Sequence, residues 1–205
     1  MRDKTKNESF VDRLKIVLRP LIFPMDDLLA QVKKEDTVFD IGCGSGQFLL
    51  LVAEFVKAKS LFGIEIHDRL VNNAKNLFDK FQKDADATFE KYDGTQIPEQ
   101  IKNFDKVFLN DVLHHIPKKQ QSTFIGNLHK AMGSGSKFVL KDMNAATPLV
   151  FFNKMHDLVF SREIGNEISV KKAAQLLEEN GFVIESQMKK RIFWYAHYII
   201  VCKKV

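Results

Sequence analysis

The sequence is poor in cysteine, with two in 205 residues, and it lacks long apolar runs. Cys43 and Cys202 lie far apart, so they cannot build a disulfide framework, and no Cys/His spacing typical of a zinc site accompanies them. The apolar stretch of residues 16–23 is broken by Arg19 and Pro20, which predicts neither a secretory signal nor a membrane span. These absences predict a soluble, cytoplasmic protein in a reducing environment, without a metal site.

Basic charge is concentrated at the two ends of the sequence. Residues 1–20 hold six Lys/Arg against three acids, and residues 189–205 hold five Lys/Arg and no acid, in a chain of net charge +5. The stretch between them is therefore net acidic, which disfavours a general nucleic-acid-binding domain. No repeat or Gly/Ser linker divides the chain, and 205 residues suit one α/β domain.

Strand-like and helix-like segments alternate along most of the chain, which predicts a parallel sheet covered by helices on both faces. A strand precedes Gly42, and the final pair of strands reads as a hairpin around a basic turn at Lys189–Arg191. The other predicted strands are Ser60–Ile66, Thr88–Tyr92, Lys106–Asn110, Lys137–Lys141, Phe182–Met188 and Ile192–Cys202. The predicted helices are Ser9–Leu18, Met25–Val32, Gln47–Lys57, Asp68–Gln82 with Asp68 as N-cap, Pro117–Gly133, Pro148–Phe160 and Ser169–Asn180.

Three glycines at alternate positions, Gly42, Gly44 and Gly46, follow the first strand. Without side chains, the backbone amides of such a turn can closely approach a ligand. A dinucleotide fingerprint requires glycine at the sixth place, where this chain has Gln47. Asp40 would repel a pyrophosphate but suits a ligand that offers an ammonium group or hydroxyl hydrogens. The turn therefore predicts a nucleoside ligand other than a dinucleotide.

The segment Asp40–Gly46 resembles motif I of the class I S-adenosylmethionine-dependent methyltransferases. Leu61–Ile66 is similar to that family's second strand, Lys91–Thr95 to the end of its third, and Phe104–Pro117 to motif IV. Four matches in chain order are more specific than one glycine turn, and they cover residues 37–142.

This resemblance implies S-adenosylmethionine as the cofactor. It implies that Glu65 chelates the two ribose hydroxyls, that Asp93 holds the adenine edge and that Asn110 lies beside the methionine moiety through its main chain. Glu65 follows Gly42 by 23 residues, close to the roughly 20 expected of a ribose-binding acid. The predicted cofactor-binding residues are Asp40, Gly42, Cys43, Gly44, Gly46, Glu65, Ile66, Asp93, Gly94 and Asn110.

The implied fold is a doubly wound, mostly parallel seven-stranded sheet with helices on both faces and an antiparallel last strand. Residues 1–205 are predicted to form a single domain. It divides into a helical cap at residues 1–34, a cofactor-binding half at 35–142, and acceptor-side helices with a C-terminal hairpin at 143–205.

Methyl transfer needs a general base only if the nucleophile arrives protonated, as an alcohol or a phenol does. His115, Asp142 and His156 are the candidates for this catalytic role. Adjacent histidines such as His114 and His115 are also typical of structural residues under the cofactor. A single histidine on an apolar helix, as predicted for His156, is more often a packed core residue, so a catalytic and a structural role both stay open for it.

The motifs that the sequence lacks narrow the possible classes of methyl acceptor. Residues 110–113 lack the Pro-Pro-aromatic signature of methyltransferases that act on exocyclic amines, neither cysteine resembles the nucleophile of cytosine C5 methylation, and no catechol-type metal site is apparent. The leading prediction is a small apolar or aromatic molecule or a lipid intermediate, methylated at oxygen. A lipid acceptor would suit peripheral membrane contact by the amphipathic N-terminus. The alternatives are an RNA methyltransferase that uses the basic ends and a non-catalytic S-adenosylmethionine-binding protein.

Overall fold

The computed structural model describes residues 23–146, 166–193 and 195–205. Its strands are β1 Thr37–Ile41, β2 Ser60–Glu65, β3 Ala87–Lys91, β4 Lys106–Asn110, β5 Lys137–Met143, β6 Phe182–Ile192 and β7 Tyr195–Lys204. They form one sheet in the order β3-β2-β1-β4-β5-β7-β6. Strands β1 to β5 pair in parallel, β7 pairs antiparallel with β5, and β6 pairs antiparallel with β7. The predicted doubly wound sheet with an antiparallel last strand is confirmed.

Helices connect the strands and pack on the sheet. They are α1 Met25–Leu29, α2 Gln47–Leu51, α3 Asp68–Phe81, α4 Lys118–Ala131 and α5 Val170–Glu179, with short 3₁₀ turns at Glu99–Asn103 and Leu113–His115. Within these described parts of the chain, no helix combines the length and the apolar character needed to cross a bilayer.

Both faces of the sheet are buried, and side chains alternate between two apolar clusters. In β1, Val38 packs in one cluster while Phe39 and Ile41 pack in the other. The rings of Phe39 and Phe62 stack with centroids 5.0 Å apart across β1 and β2. Parallel strands covered on both faces require such continuous apolar sequence. The few polar residues at the ends of these strands are exceptions to this apolar pattern.

Several predicted element boundaries need correction. The helix expected over Gln47–Lys57 is α-helical only to Leu51. It continues as a π-helical turn over Val52–Val56, and Lys57 is the C-cap with φ of +58°. His67, not Asp68, is the N-cap of α3, and Asp68 instead pairs with Lys91 at 2.5 Å. The predicted cap at Ser169 is confirmed, since its hydroxyl accepts the Lys172 N–H at 3.3 Å.

The turn of the C-terminal hairpin was predicted wrongly. The basic residues 189–191 continue β6, and the chain reverses between Ile192 and Tyr195. Charged residues favour a turn in sequence, but β6 is an exposed edge strand, where lysines are accepted and discourage further strand pairing. Lys190 also forms an ion pair with Asp27, which ties the edge strand to the N-terminal side of the fold.

The predicted helical cap is described only in part. Its second helix is shorter than expected and covers Met25–Leu29. The predicted helices Ser9–Leu18 and Pro148–Phe160 lie outside the described residues, and so does the candidate His156.

Candidate active site

The glycine turn adopts the conformation that its sequence predicts. Gly42 and Gly46 have φ of +71° and +74°, which disfavours residues with a side chain. A Cβ on Gly42 would lie 2.4 Å from Val112 Cγ2, and one on Gly46 would lie 2.9 Å from Ala74 Cβ. The turn is also fixed from below, because the Gly42 amide donates to the Ile64 carbonyl at 2.8 Å. The glycine turn is therefore held in place, and its glycines present no side chains to a ligand.

The carboxylate of Glu65 lies against this turn at the end of β2. Its Oε2 accepts the Gly44 N–H at 3.0 Å, its Oε1 accepts the His67 N–H at 3.1 Å, and the residue is buried. A carboxylate has about four lone-pair sites, so two remain for the hydroxyls of a ligand. The carboxylate of Glu65 therefore keeps acceptor capacity beside the glycine turn, and its binding of the ribose stays a prediction.

Asp40 and Asn110 form a second polar pair at the same edge, on adjacent strands β1 and β4. Asn110 Nδ2 donates to Asp40 Oδ1 at 3.3 Å, and both residues are buried. Among the residues described, no donor reaches Asn110 Oδ1. A buried amide oxygen normally has a partner, so this atom fits a ligand that brings a hydrogen-bond donor, as an amino acid end does.

Asp93 and Gly94 complete the edge at the end of β3. The Tyr92 N–H donates to the Glu65 carbonyl at 2.9 Å, which places this turn next to Glu65. Asp93 Oδ1 accepts the amides of Thr95 and Gln96, and these hydrogen bonds lower the pKa of its carboxyl. Ile66, which follows Glu65, is 51% exposed and presents an apolar surface beside the turn. The predicted cofactor residues thus converge at one edge of the sheet.

Cys43 lies inside the turn but is chemically protected. Burial, followed by the nearby carboxylates of Asp40 and Glu65, raises the pKa of its thiol. Burial likewise raises the pKa of the Cys202 thiol. Because the thiolate is the nucleophile, both cysteines are unsuited to covalent catalysis.

This protection predicts slow thiol chemistry. In the native protein, both cysteines are expected to react with Ellman's reagent at least about 10-fold more slowly than in the urea-unfolded chain. Stopped-flow absorbance at neutral pH checks the difference in rate. A native thiol that reacts as fast as the unfolded chain would contradict the buried, neutral environment described for Cys43.

Asp142 and His114 form a buried pair at the end of β5. Asp142 Oδ1 lies 2.6 Å from His114 Nδ1, and Asp142 Oδ2 accepts the His114 backbone N–H at 3.0 Å. The Met143 amide also donates to Asp142 Oδ1 at 2.7 Å. His115 is exposed, with its ring centroid 4.1 Å from that of His114. The structure therefore places the Asp142 carboxylate in contact with His114, the neighbour of the predicted candidate His115.

The sequence did not predict the ion pair that lies next to His114 and Asp142. Lys141 is fully buried, and its ammonium lies 2.6 Å from both oxygens of Asp111 and 4.1 Å from the centre of the Phe23 ring. Asp111 has φ of +55° and its amide donates to the Lys141 carbonyl, so the pair fixes the backbone directly after Asn110. A lysine inside the apolar run of β5 was the signal that could have revealed it.

Donor atoms of Asp111, His114 and Asp142 lie within 4.8 Å of one another, a grouping that the sequence did not predict. Their hydrogen bonds argue against a metal role. The Lys141 ammonium occupies both oxygens of Asp111, and Asp142 binds the imidazole and two backbone amides. A divalent cation would have to displace this positive charge and these donors.

The sheet order, the side-chain-poor turn after β1 and the acid at the end of β2 define a class I S-adenosylmethionine-dependent methyltransferase. The sequence model of the family described as a methyltransferase domain matches residues 32–185. The chain belongs to this family, and its cofactor is S-adenosylmethionine. The buried Asn110 oxygen, the bare glycine turn and the Glu65 carboxylate fit its amino acid and ribose groups.

Known proteins resemble different parts of the chain. A carboxy-S-adenosyl-L-methionine synthase of Erwinia tasmaniensis is 24% identical over 77% of this chain and 66% of its own length. The chain spans between 29% and 66% of the length of the curated relatives that it matches.

Solved structures share the fold. The complex between the Haloferax volcanii Trm112 methyltransferase activator and its methyltransferase gives a TM-score of 0.76 at 15% identity, covering 94% of both chains. Magnesium protoporphyrin IX methyltransferase from Synechocystis, with bound S-adenosylhomocysteine (SAH), gives 0.68 at 21% identity, covering 95% of this chain and 82% of that one.

Proposed function

We propose that this protein transfers the methyl group of S-adenosylmethionine to an oxygen of a small apolar or aromatic molecule or a lipid intermediate. The observation that carries the proposal is the buried His114–Asp142 pair, with its 2.6 Å contact, beside the cofactor edge. Bound S-adenosylmethionine supplies an electrophilic methyl group on a sulfonium. The residues of the chain must then position the acceptor and receive its proton.

His114 is suited to receive that proton. A neutral imidazole can accept a proton at one ring nitrogen while the other nitrogen makes a hydrogen bond. Asp142 holds the His114 side chain through Nδ1 and its backbone through the amide, so the ring orientation is fixed from two sides. A carboxylate that orients an imidazole is the usual arrangement for a histidine base. Asp142 therefore acts as a positioning residue, while His114 takes the hydroxyl proton.

A cavity lined by lysines lies away from the candidate active site. Its volume is about 510 Å³, and its charged lining residues are Lys33, Lys102, Lys106 and Lys137 together with Asp36 and Asp105. Lys106 and Lys137 begin strands β4 and β5, whereas Asn110 and Asp142 lie at the other ends of these strands. A five-residue strand spans about 17 Å. A phosphate held in this cavity would therefore sit roughly that far from the methyl donor.

The relatives and structural neighbours differ in the acceptors that their names give. Magnesium protoporphyrin IX, named for one structural neighbour, is a small aromatic molecule. The named relatives and neighbours also include a protein-lysine methyltransferase and a complex with an activator protein.

An acceptor screen tests the proposal. Purified protein with S-adenosylmethionine is expected to release SAH in the presence of at least one phenol, hydroxylated aromatic or lipid alcohol, and not with RNA. Mass spectrometry of the acceptor locates the added methyl group on oxygen. Intact cofactor binding without turnover across the panel would favour the non-catalytic alternative. Turnover on RNA that falls steeply with salt would favour the RNA methyltransferase.

A further inference from the structure

Glu167 carries a buried carboxylate for which the described residues supply no partner. The residue is 5% exposed, and no hydrogen-bond donor reaches Oε1 or Oε2. Burying an ionised carboxylate without a partner is strongly unfavourable. A buried polar group without a hydrogen-bond partner in a native fold requires an explanation. The location of Glu167 supports one such explanation, namely a ligand of opposite charge.

The backbone around Glu167 is fixed on both sides by hydrogen bonds. The Asn166 amide donates to the His114 carbonyl at 2.7 Å, and Ala145 donates to the Ile168 carbonyl at 3.3 Å. Gln121 Nε2 also donates to the Asn166 carbonyl at 3.1 Å. Glu167 therefore lies between the turn that follows β4 and the segment that follows β5, next to the proposed base.

This location is on the acceptor side of the site. The predicted cofactor acids Asp40, Glu65 and Asp93 lie at the ends of β1, β2 and β3. Glu167 is held by residues that follow β4 and β5, in the other half of the sheet order. The buried pair of Asp40 and Asn110 is the one proposed above for the amino acid end of the cofactor. Among the residues that the structure describes, no donor competes with a second molecule for the Glu167 carboxylate.

A second orphaned polar group lies near the same end of β5. Tyr198 pairs with Asp142 in the β5–β7 register, it is fully buried, and its hydroxyl has no hydrogen-bond partner among the residues described. Burial, then the charges of Asp142 and Asp111, raises the pKa of this phenol. The phenol therefore stays neutral and can still accept or donate one hydrogen bond.

We propose that Glu167 is a specificity-determining residue that binds a protonated amine carried by the methyl acceptor. This inference rests on the proposed function, since it assumes that an acceptor occupies the side of the site beside His114. The amine serves as an anchor and not as the methylated atom, because a protonated nitrogen has no lone pair to attack the methyl group. Its charge neutralises the Glu167 carboxylate while the acceptor hydroxyl faces the base.

Binding of two matched probes tests the assignment. Tyramine and 4-ethylphenol differ only by the amino group, and calorimetry in the presence of saturating SAH compares their affinities. The parent protein is expected to prefer tyramine. Glu167→Gln should weaken tyramine binding at least about 10-fold and leave 4-ethylphenol unchanged. Glu178→Gln, which alters an exposed carboxylate on α5, should change neither affinity.

Thermal unfolding gives a second, independent measurement. Without ligand, Glu167→Gln is expected to raise the midpoint by about 2 to 4 °C, because it removes a buried charge. The proposal is overturned if the parent shows no preference for tyramine, if Glu167→Gln keeps it, or if this substitution lowers the midpoint. Weaker SAH binding in Glu167→Gln would overturn the assignment to the acceptor. Binding is measured without turnover, so failure to find methyl transfer is a separate result.

Discussion

Replacing Glu65 by Gln is expected to weaken SAH binding by roughly 10- to 150-fold. That range corresponds to about 1.5 to 3 kcal/mol for hydrogen bonds to a charged group, at about 1.4 kcal/mol per tenfold change. We expect Glu65 to accept hydrogen bonds from both ribose hydroxyls, while its carboxylate also accepts the N–H groups of Gly44 and His67. Gln keeps the shape of the side chain but loses the charge and one acceptor oxygen.

Titration calorimetry measures the loss, with Glu99→Gln as the control, since its side chain is 94% exposed and far along the chain from the turn. The control should bind SAH like the parent. Circular dichroism of the Glu65→Gln variant shows whether the fold is intact. An unchanged affinity for SAH in a folded Glu65→Gln protein would show that Glu65 does not bind the ribose.

Asp142→Asn is expected to reduce kcat by about 100-fold or more on the acceptor found in the screen. Removing a general base or the group that orients it typically costs a factor of 10² to 10⁴. The amide at position 142 cannot accept from both the imidazole and the backbone N–H of His114 as the carboxylate does. The ring then loses its fixed orientation, while the ribose and adenine contacts are unaffected.

Steady-state kinetics separates this role from a purely structural one. The KM for S-adenosylmethionine and the affinity for SAH should stay within about twofold of the parent values, so that the effect falls on kcat. Asp79→Asn is the matched control, because it makes the same change of side chain at an exposed position on α3. Equal rates for Asp142→Asn and the parent, or an equal loss in Asp79→Asn, would contradict the role of the His114–Asp142 pair.

The convergence of the cofactor residues could be predicted from sequence, because carboxyl ends of adjacent parallel strands meet at one edge. Asp40, Glu65 and Asn110 each end or nearly end a strand, so strand assignment alone brought them together. The hairpin turn could not be placed, since the lysines of β6 favour a turn as strongly as an exposed edge strand. Whether a strand lies at the edge of the sheet depends on the order of the strands, and the local sequence does not specify that order.

The partners of Asp142 and Lys141 also required the three-dimensional structure. Which of two adjacent histidines meets Asp142 depends on the direction of the 3₁₀ turn at Leu113–His115, and hydrophobic pattern does not specify that direction. Lys141 pairs with Asp111 because Asp111 adopts a left-handed backbone conformation after β4. Glu167 looks like an ordinary acid in sequence, and only its burial without a partner makes it a candidate for binding.

A crystal structure of the protein with SAH tests the central claim most directly, namely that the glycine turn and Glu65 receive the nucleoside of the cofactor. The account predicts both ribose hydroxyl oxygens about 3 Å from the Glu65 carboxylate, with the amino acid end over Gly42 and beside Asn110. A nucleoside bound away from Glu65, with the turn unoccupied, would contradict it.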